Sequence, residues 1–152
     1  MRIEKFLKQA GVPFKRHRHP RTFTAQELAA QEHVSGHRVA KSVAVHVDGR
    51  FLLCVLPASY RVDLRRLADA FCADRCYLAD EVEMQAMFPD VELGAEPPFG
   101  NLYGLETVVD EHLAQCENIT FCGGDLRKAI EMPYSDYERL TEPRVLEFAQ
   151  VS

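Results

Sequence analysis

A lysine interrupts an apolar β-strand pattern in the stretch VAKSVAVHV, residues 39 to 47. Because strand side chains alternate between two faces, Lys41 shares its face with four valines, whereas Ser42 and His46 lie on the opposite face. A buried ammonium group without a partner is costly. The lysine therefore either extends to water at the end of a sheet or reaches into a pocket.

The loop GAEPPFG, from Gly94 to Gly100, is the second stretch that could build a site. Its two prolines fix φ at successive positions and remove two N–H donors. Its flanking glycines allow a positive φ and the close approach of a ligand. Such a loop suits a rigid binding wall that presents backbone groups, although a plain surface turn would have the same composition.

Positive charge is concentrated in KRHRHPR, from Lys15 to Arg21, although the chain has a formal net charge of −5. The acidic total excludes a general nucleic-acid coat. The basic segment is either a solvated loop or a local phosphate footprint, and Arg61, Arg65 and Arg66 form a second basic group.

Several familiar catalytic signatures do not occur: there is no GxxxxGKS/T, GxGxxG, GxSxG or HExxH motif. The five cysteines lack tight paired spacing, which is typical of reduced thiols in a cytoplasmic protein. We expect no metal site and no cofactor. The opening MRIEKFLKQAG is charged and amphipathic, so we expect neither a signal peptide nor a membrane partner.

The elements that would position these residues form one domain over residues 1–152 in this interpretation. The clearest is a hairpin, because the apolar runs Val39–Val47 and Phe51–Leu56 flank the favoured turn pair Asp48-Gly49. Its register places Lys41 opposite Leu56, at the end away from the turn.

Capping residues and apolar periodicity predict the remaining elements and a mixed α/β fold class. Short strands are predicted in CYL, LETVVD, NITFC and KAIEM. Helices are predicted over Ile3–Ala10, from Thr24 to about Val34, after the caps Asp63, Asp80, Asp110 and Ser135, and in a last short segment that starts at Pro143.

The order of these motifs resembles the YbaK / prolyl-tRNA-synthetase-associated editing-domain family. The resemblance rests on RVAKSVAVHVDGRFLLCVLPASYRVDLRRLADAF, GAEPPFG, VVDEHL and ITFCGGDLRKAIEM, and it extends from roughly residue 20 to residue 140. It implies a mixed, mostly antiparallel barrel-like sheet surrounded by helices. It also implies hydrolysis of the ester that joins a wrong amino acid to its tRNA.

The resemblance assigns expected roles by motif. Lys41 matches the lysine that engages the phosphate backbone at the 3′ end of the tRNA, and Gly94 with Pro98 matches a GxxxP motif that shapes the aminoacyl pocket. Backbone N–H groups of Gly94, Ala95, Gly123 and Gly124 would then stabilise the oxyanion. The expected catalytic residues are Lys41, Gly94, Pro98 and Gly123. The expected substrate-binding residues are Ser42, Ala95, Glu96, Pro97, Phe99, Asp110, Cys122 and Gly124, and Arg16, Arg18 and Arg21 are the expected tRNA contacts.

Two departures from the family pattern leave the substrate open among small amino acids such as alanine, serine and cysteine. Cys122 stands where relatives often carry serine or histidine, and Ser42 stands where alanine-editing members carry asparagine. The expected partner is aminoacyl-tRNA, with a synthetase as a second partner. A non-catalytic tRNA- or synthetase-binding module and hydrolysis of a different small ester are the alternatives.

Overall fold

A computed structural model describes residues 2–22, 24–32 and 35–151, in which helices and strands alternate irregularly. The helices are α1 (Arg2–Gln9), α2 (Ala25–Gln31), α3 (Leu64–Ala70), α4 (Glu81–Met87), α5 (Glu111–Ala114) and α6 (Tyr134–Thr141), with a 3-10 turn at Gly100–Leu102. The strands are β1 (Lys15–Arg18), β2 (Ala40–Val47), β3 (Arg50–Pro57), β4 (Tyr60–Val62), β5 (Cys76–Leu78), β6 (Glu106–Asp110), β7 (Asn118–Cys122), β8 (Lys128–Pro133), β9 (Arg144–Leu146) and β10 (Ala149–Val151). The predicted mixed α/β class is confirmed. Among the described residues, no helix is both long and apolar enough to cross a membrane.

The β2–β3 hairpin lies inside a five-stranded sheet with the order β5-β2-β3-β6-β9. Its turn has a positive φ at Asp48 (45°) and at Gly49 (91°), as a tight hairpin turn requires. Lys41 pairs with Leu56, so the predicted register is confirmed. Strand β6 adds to β3 in parallel, which buries β3 in the middle of the sheet.

The two faces of this sheet bury separate hydrophobic cores. On one face, Leu53 and Val55 pack with Val109 and with the apolar side of α1. On the other face, Leu52 and Leu56 pack with a second group that includes Leu67 of α3. Because both faces are covered, β3 is a continuous apolar run rather than an alternating one.

A second, three-stranded sheet has the order β1-β8-β7 and joins the first sheet at the beginning of β2. Val39 forms a parallel bridge with Thr120, and the Thr120 amide donates to the carbonyl of Arg38 at 3.0 Å. This junction brings the end of β7, where Cys122 lies, next to the beginning of β2, where Lys41 lies.

Four helices begin at the side-chain caps that the sequence predicts. The predicted end of α2 and the predicted beginning of α6 are different cases. The caps are Thr24, Asp63, Asp80 and Asp110. Helix α2 ends at Gln31, and its predicted end at Val34 lies outside the described residues. The prediction that Ser135 caps a helix is wrong, because α6 already begins at Tyr134 after the extended residue Pro133.

The predicted last helix after Pro143 is also wrong, because that segment forms β9 and β10. Glu142 adopts a left-handed conformation (φ 46°, ψ 56°) that ends α6 and redirects the chain. Strand β9 then pairs in parallel with β6, and β10 pairs with β4. The open edges of β6 and β4 supply backbone partners that are distant in sequence, and these pairings override the local helical pattern.

Asp110 and Asp80 are both helix caps, but they differ in burial, which gives a matched test. The carboxylate of Asp110 is fully buried and accepts hydrogen bonds from the amides of His112 (3.0 Å), Phe148 (3.0 Å) and Ala149 (2.9 Å). Asp80 is exposed and caps α4 alone. We expect Asp110→Ala to lower the free energy of unfolding by roughly 3–5 kcal/mol, because it leaves buried donors unpaired. We expect Asp80→Ala to lower it by about 1 kcal/mol.

Chemical denaturation monitored by circular dichroism measures both changes. Equal losses for the two variants would mean that the hydrogen bonds of Asp110 with Phe148 and Ala149 contribute nothing beyond a helix cap.

Candidate functional site

A cavity of about 230 Å³ lies where the beginning of β2, helix α2, the Gly94 loop and the end of β7 meet. Five residues predicted from the sequence line it: Lys41, Ser42, Gly94, Glu96 and Cys122. The remaining lining residues are Thr24, Ala25, Leu28 and Ala40. Segments far apart in sequence therefore converge on one concave site with a mixed polar and apolar wall.

The cavity lies against an open edge at the beginning of β2. Strand β5 pairs with β2 only from Val45 to Val47, so the edge near Lys41 has no partner from β5. Ala40, Lys41 and Ser42 are consecutive, and all of them line the cavity. Both faces of the strand thus contribute, and Ser42 reaches the cavity from the face opposite to the valines.

Lys41 is half-buried, and its ammonium group donates to the carbonyl of Ala58 at 3.3 Å. Burial lowers the pKa of this lysine from its ordinary value. Among the described residues it forms no ion pair. The side chain therefore presents a positive charge at the cavity that is not ion-paired with a carboxylate of the described residues.

The Gly94 loop is not a plain surface turn, because its residues from Ala95 to Gly100 are buried. Gly94 has a φ of +92°, which favours glycine at this position. The amide of Gly94 donates to both carboxylate oxygens of Glu96, at 3.1 and 2.8 Å. Burial raises the pKa of the Glu96 carboxyl, while the hydrogen bonds from backbone N–H groups oppose that rise.

The four amides predicted as oxyanion donors all donate hydrogen bonds within the protein in this structure, and their role toward a substrate stays a prediction. Each has a different acceptor: Gly94 donates to Glu96, Ala95 to the Glu92 carbonyl (3.0 Å), Gly123 to the Lys128 carbonyl (3.2 Å) and Gly124 to the Ala95 carbonyl (3.0 Å). These bonds hold the loop and the end of β7 together. In this conformation, Gly94-Ala95 and Gly123-Gly124 therefore stabilise the wall of the cavity.

Cys122 lines the cavity as a thiol. Burial raises its pKa to about 12, and the negative charges of Glu96, Asp125 and Glu92 add to the rise. A cysteine acts as a nucleophile only as the thiolate, and a low pKa marks the reactive ones. Near neutral pH this side chain is a small, weakly polar part of the wall.

Ser42 is the polar group that the wall leaves unsatisfied. Its hydroxyl is buried and has no hydrogen-bond partner among the described residues. A buried hydroxyl without a partner is costly, and Ser42 is one of the residues that line the cavity.

Some predicted site residues lie away from the lining of the cavity. Asp110 is fully buried and serves β10 and α5 through the bonds described above. Phe99 is fully buried among the rings of Phe6, Phe121 and Tyr137. Pro97, Pro98, Ala95, Gly123 and Gly124 are buried next to lining residues. The carbonyl of Pro98 accepts from the Tyr137 hydroxyl at 2.6 Å, which anchors the loop to α6.

The first four residues of KRHRHPR, the predicted phosphate footprint, form the exposed edge strand β1, and the charge of the segment is partly compensated. Arg16 pairs with Glu4 at 3.0 Å, and Arg21 pairs with Glu92 at 2.9 Å. Arg18 is exposed. The segment therefore offers less free positive charge than its composition suggests.

Sequence reasoning missed the wall that α2 supplies. Ala25 and Leu28 give it an apolar surface, and Thr24 combines a position on the cavity with its predicted role as helix cap. The amphipathic pattern of α2 predicts a buried side but not what that side faces. Within residues 2–22, 24–32 and 35–151, no group of three or more histidine, cysteine, aspartate or glutamate side chains is placed to hold a metal ion.

The chain is similar to proteins of known function and structure. A family model described as "Aminoacyl-tRNA editing domain" matches residues 19–140. The chain is 26% identical to the multifunctional Ser/Thr-tRNA deacylase ProXp-y of Escherichia coli strain K12, over 99% of this chain and 93% of that protein. The same values hold for ProXp-y of Escherichia coli O157:H7.

Two solved structures share the fold. The crystal structure of a hypothetical protein superposes with a TM-score of 0.89 at 20% identity, over 99% of this chain and all of that one. A candidate trans-editing enzyme for prolyl-tRNA synthetase gives a TM-score of 0.86 at 21% identity, over 98% of this chain and 95% of that one. Together with the family model, these likenesses confirm the resemblance seen in the sequence.

The state of Cys122 can be tested with a thiol reagent. We expect iodoacetamide at pH 8 to modify the exposed Cys72 well before Cys122, because the Cys122 thiol is partly buried and its pKa of about 12 leaves little thiolate. Mass spectrometry of digests taken over time gives the two rates, which should converge in urea. Rapid modification of native Cys122 would mean that it is a reactive thiolate.

Proposed function

Because the chain belongs to the aminoacyl-tRNA editing domain family and is an aminoacyl-tRNA deacylase, we propose that it removes a small amino acid, serine first, from mischarged tRNA. The observation that carries this choice is the cavity of about 230 Å³ with the unpaired Ser42 hydroxyl on its wall. Alanine and cysteine are the other small candidates, and threonine joins them because ProXp-y is a Ser/Thr-tRNA deacylase.

Size is the first basis of the selection. In this proposal the cavity, whose wall includes residues of α2 and of the Gly94 loop, admits a short side chain and excludes a large one. One methylene changes binding by only ~1–3 kcal/mol, so a synthetase alone discriminates poorly between small amino acids. A separate hydrolytic site that admits only the smaller product corrects that error.

Lys41 is the anchor for the tRNA end in this proposal. Its ammonium group lies at the cavity and forms no ion pair among the described residues, and the substrate brings phosphate groups at the 3′ end. A lysine binds phosphate as a compact point charge. Arg16, Arg18 and Arg21 would add weaker contacts, since two of them already pair with glutamates.

Water is the attacking group in this proposal. An aminoacyl ester is already activated, and the protonated Cys122 is unsuited to form a covalent intermediate. The protein then has to hold the ester and orient a water molecule, which the rigid loop and the strand end are suited to do. A synthetase partner would supply the tRNA affinity that a chain of net charge −5 lacks.

The proposal predicts a specific deacylation that depends on Lys41. Alanyl-, seryl-, cysteinyl-, threonyl- and prolyl-tRNA are each incubated with the wild type, with Lys41→Ala and with Lys8→Ala, an exposed control on α1. We expect rapid release from one or two small species, at least about tenfold slower in Lys41→Ala because one charged contact is lost, and unchanged in Lys8→Ala. Release at the spontaneous rate by the wild type, with tRNA binding intact, would instead favour a binding module.

The Ser42 hydroxyl predicts a second, finer effect. If it pairs with the hydroxyl of a seryl group, Ser42→Ala should lower kcat/KM for seryl-tRNA by roughly three- to tenfold, which corresponds to one hydrogen bond. Hydrolysis of alanyl-tRNA, which has no such hydroxyl, should not slow. Equal losses on the two substrates would assign Ser42 to another role.

A further inference from the structure

The cavity contains a buried carboxylate for which the proposed reaction has no use. Glu96 is 8% exposed and lines the cavity together with Lys41. These two side chains do not form an ion pair with each other, although they line the same small space. The cavity thus carries one positive and one negative group at separate positions.

The hydrogen bond by which Glu96 stabilises the Gly94 loop does not require a negatively charged side chain. The Gly94 amide donates to Glu96 at 2.8 and 3.1 Å, and a neutral amide side chain could accept that bond equally well. Burial of a carboxylate costs considerably more than burial of an amide. A carboxylate has about four acceptor positions, so the two oxygens keep capacity for a donor from the cavity.

The substrate has charges that match this arrangement. An aminoacyl-tRNA carries phosphate groups on the tRNA side of the ester and a free α-ammonium group on the amino-acid side. If Lys41 binds the phosphate, the group that enters deeper into the cavity is the α-ammonium. A carboxylate is the acceptor that pairs best with an ammonium group, because charge-assisted hydrogen bonds are about twice as strong as neutral ones.

We propose that the Glu96 carboxylate binds the α-ammonium group of the aminoacyl ester, and that the protein therefore rejects tRNA whose amino acid is acylated on nitrogen. Acylation removes the positive charge, so the buried carboxylate would be left without its cationic partner. Formylaminoacyl-tRNA and peptidyl-tRNA would not be hydrolysed, even when the amino acid attached to the tRNA fits the cavity. This inference rests on the proposed function, since it assigns a role within the same site.

Hydrolysis of two matched substrates gives the first test. Seryl-tRNA and N-acetylseryl-tRNA are compared with the wild type, Glu96→Gln, Glu96→Asp and Glu81→Gln, the last being an exposed control in the first turn of α4. We expect the wild type and Glu81→Gln to prefer seryl-tRNA by at least about tenfold in kcat/KM. Glu96→Gln should lose this preference through slower hydrolysis of seryl-tRNA only, and Glu96→Asp should retain part of it.

Binding of unreactive analogues gives a second test that does not depend on hydrolysis. Calorimetry measures the binding of amide-linked 3′-seryl-aminoadenosine and of its N-acetyl derivative to the same variants. We expect the wild type to prefer the free amine below the α-ammonium pKa of about 8, and to lose the preference above it. Glu96→Gln should show no preference at any pH.

Several outcomes would overturn the inference. If Glu96→Gln still preferred seryl-tRNA over N-acetylseryl-tRNA, a group other than Glu96 would recognise the α-ammonium. Equal slowing of both substrates in Glu96→Gln would assign Glu96 to bracing of the Gly94 loop, and thermal unfolding would show whether the fold is affected. A wild type that binds the free-amine analogue selectively but hydrolyses neither tRNA would refute the proposed function while supporting the role of Glu96.

Discussion

The register of the β2–β3 hairpin is the constraint on which the candidate site depends. The Asp48-Gly49 turn fixes this register, and a slip by one residue would exchange the positions of Lys41 and Ser42 across the strand. Slippage is opposed because both faces of the sheet are buried in separate cores. The turn thus determines, seven residues away, which side chain carries a charge to the cavity and which carries an unpaired hydroxyl.

The cavity combines a tightly bonded frame with a few unsatisfied groups. The backbone amides of the Gly94 loop and of Gly123-Gly124 are engaged in hydrogen bonds that close the wall. What faces the ligand is therefore side-chain chemistry: the Lys41 ammonium, the Ser42 hydroxyl, the Glu96 carboxylate and the Cys122 thiol. The proposed role of this site is to bind and orient an activated ester, and the raised pKa of Cys122 disfavours this thiol as a nucleophile.

The surroundings of Cys122 are compatible with a cysteine at a position where relatives often carry serine or histidine. Burial and three nearby carboxylates raise the pKa of its thiol, so we expect it to fill space as a small side chain and not to act as a nucleophile. The same burial that makes Cys122 inert keeps the Glu96 carboxylate out of water. A low local dielectric strengthens any interaction between that carboxylate and a positively charged ligand.

The sequence by itself determined the features that depend on near neighbours. The hairpin, its register and the caps at Thr24, Asp63, Asp80 and Asp110 follow from side chains within a few residues, and the order of motifs indicated the family. Only the tertiary structure decided the rest, because it depends on partners distant in sequence. The segment after Pro143 forms β9 and β10 by pairing with β6 and β4, the buried Asp110 accepts a hydrogen bond from the first residue of β10, and α2 contributes to the wall of the cavity.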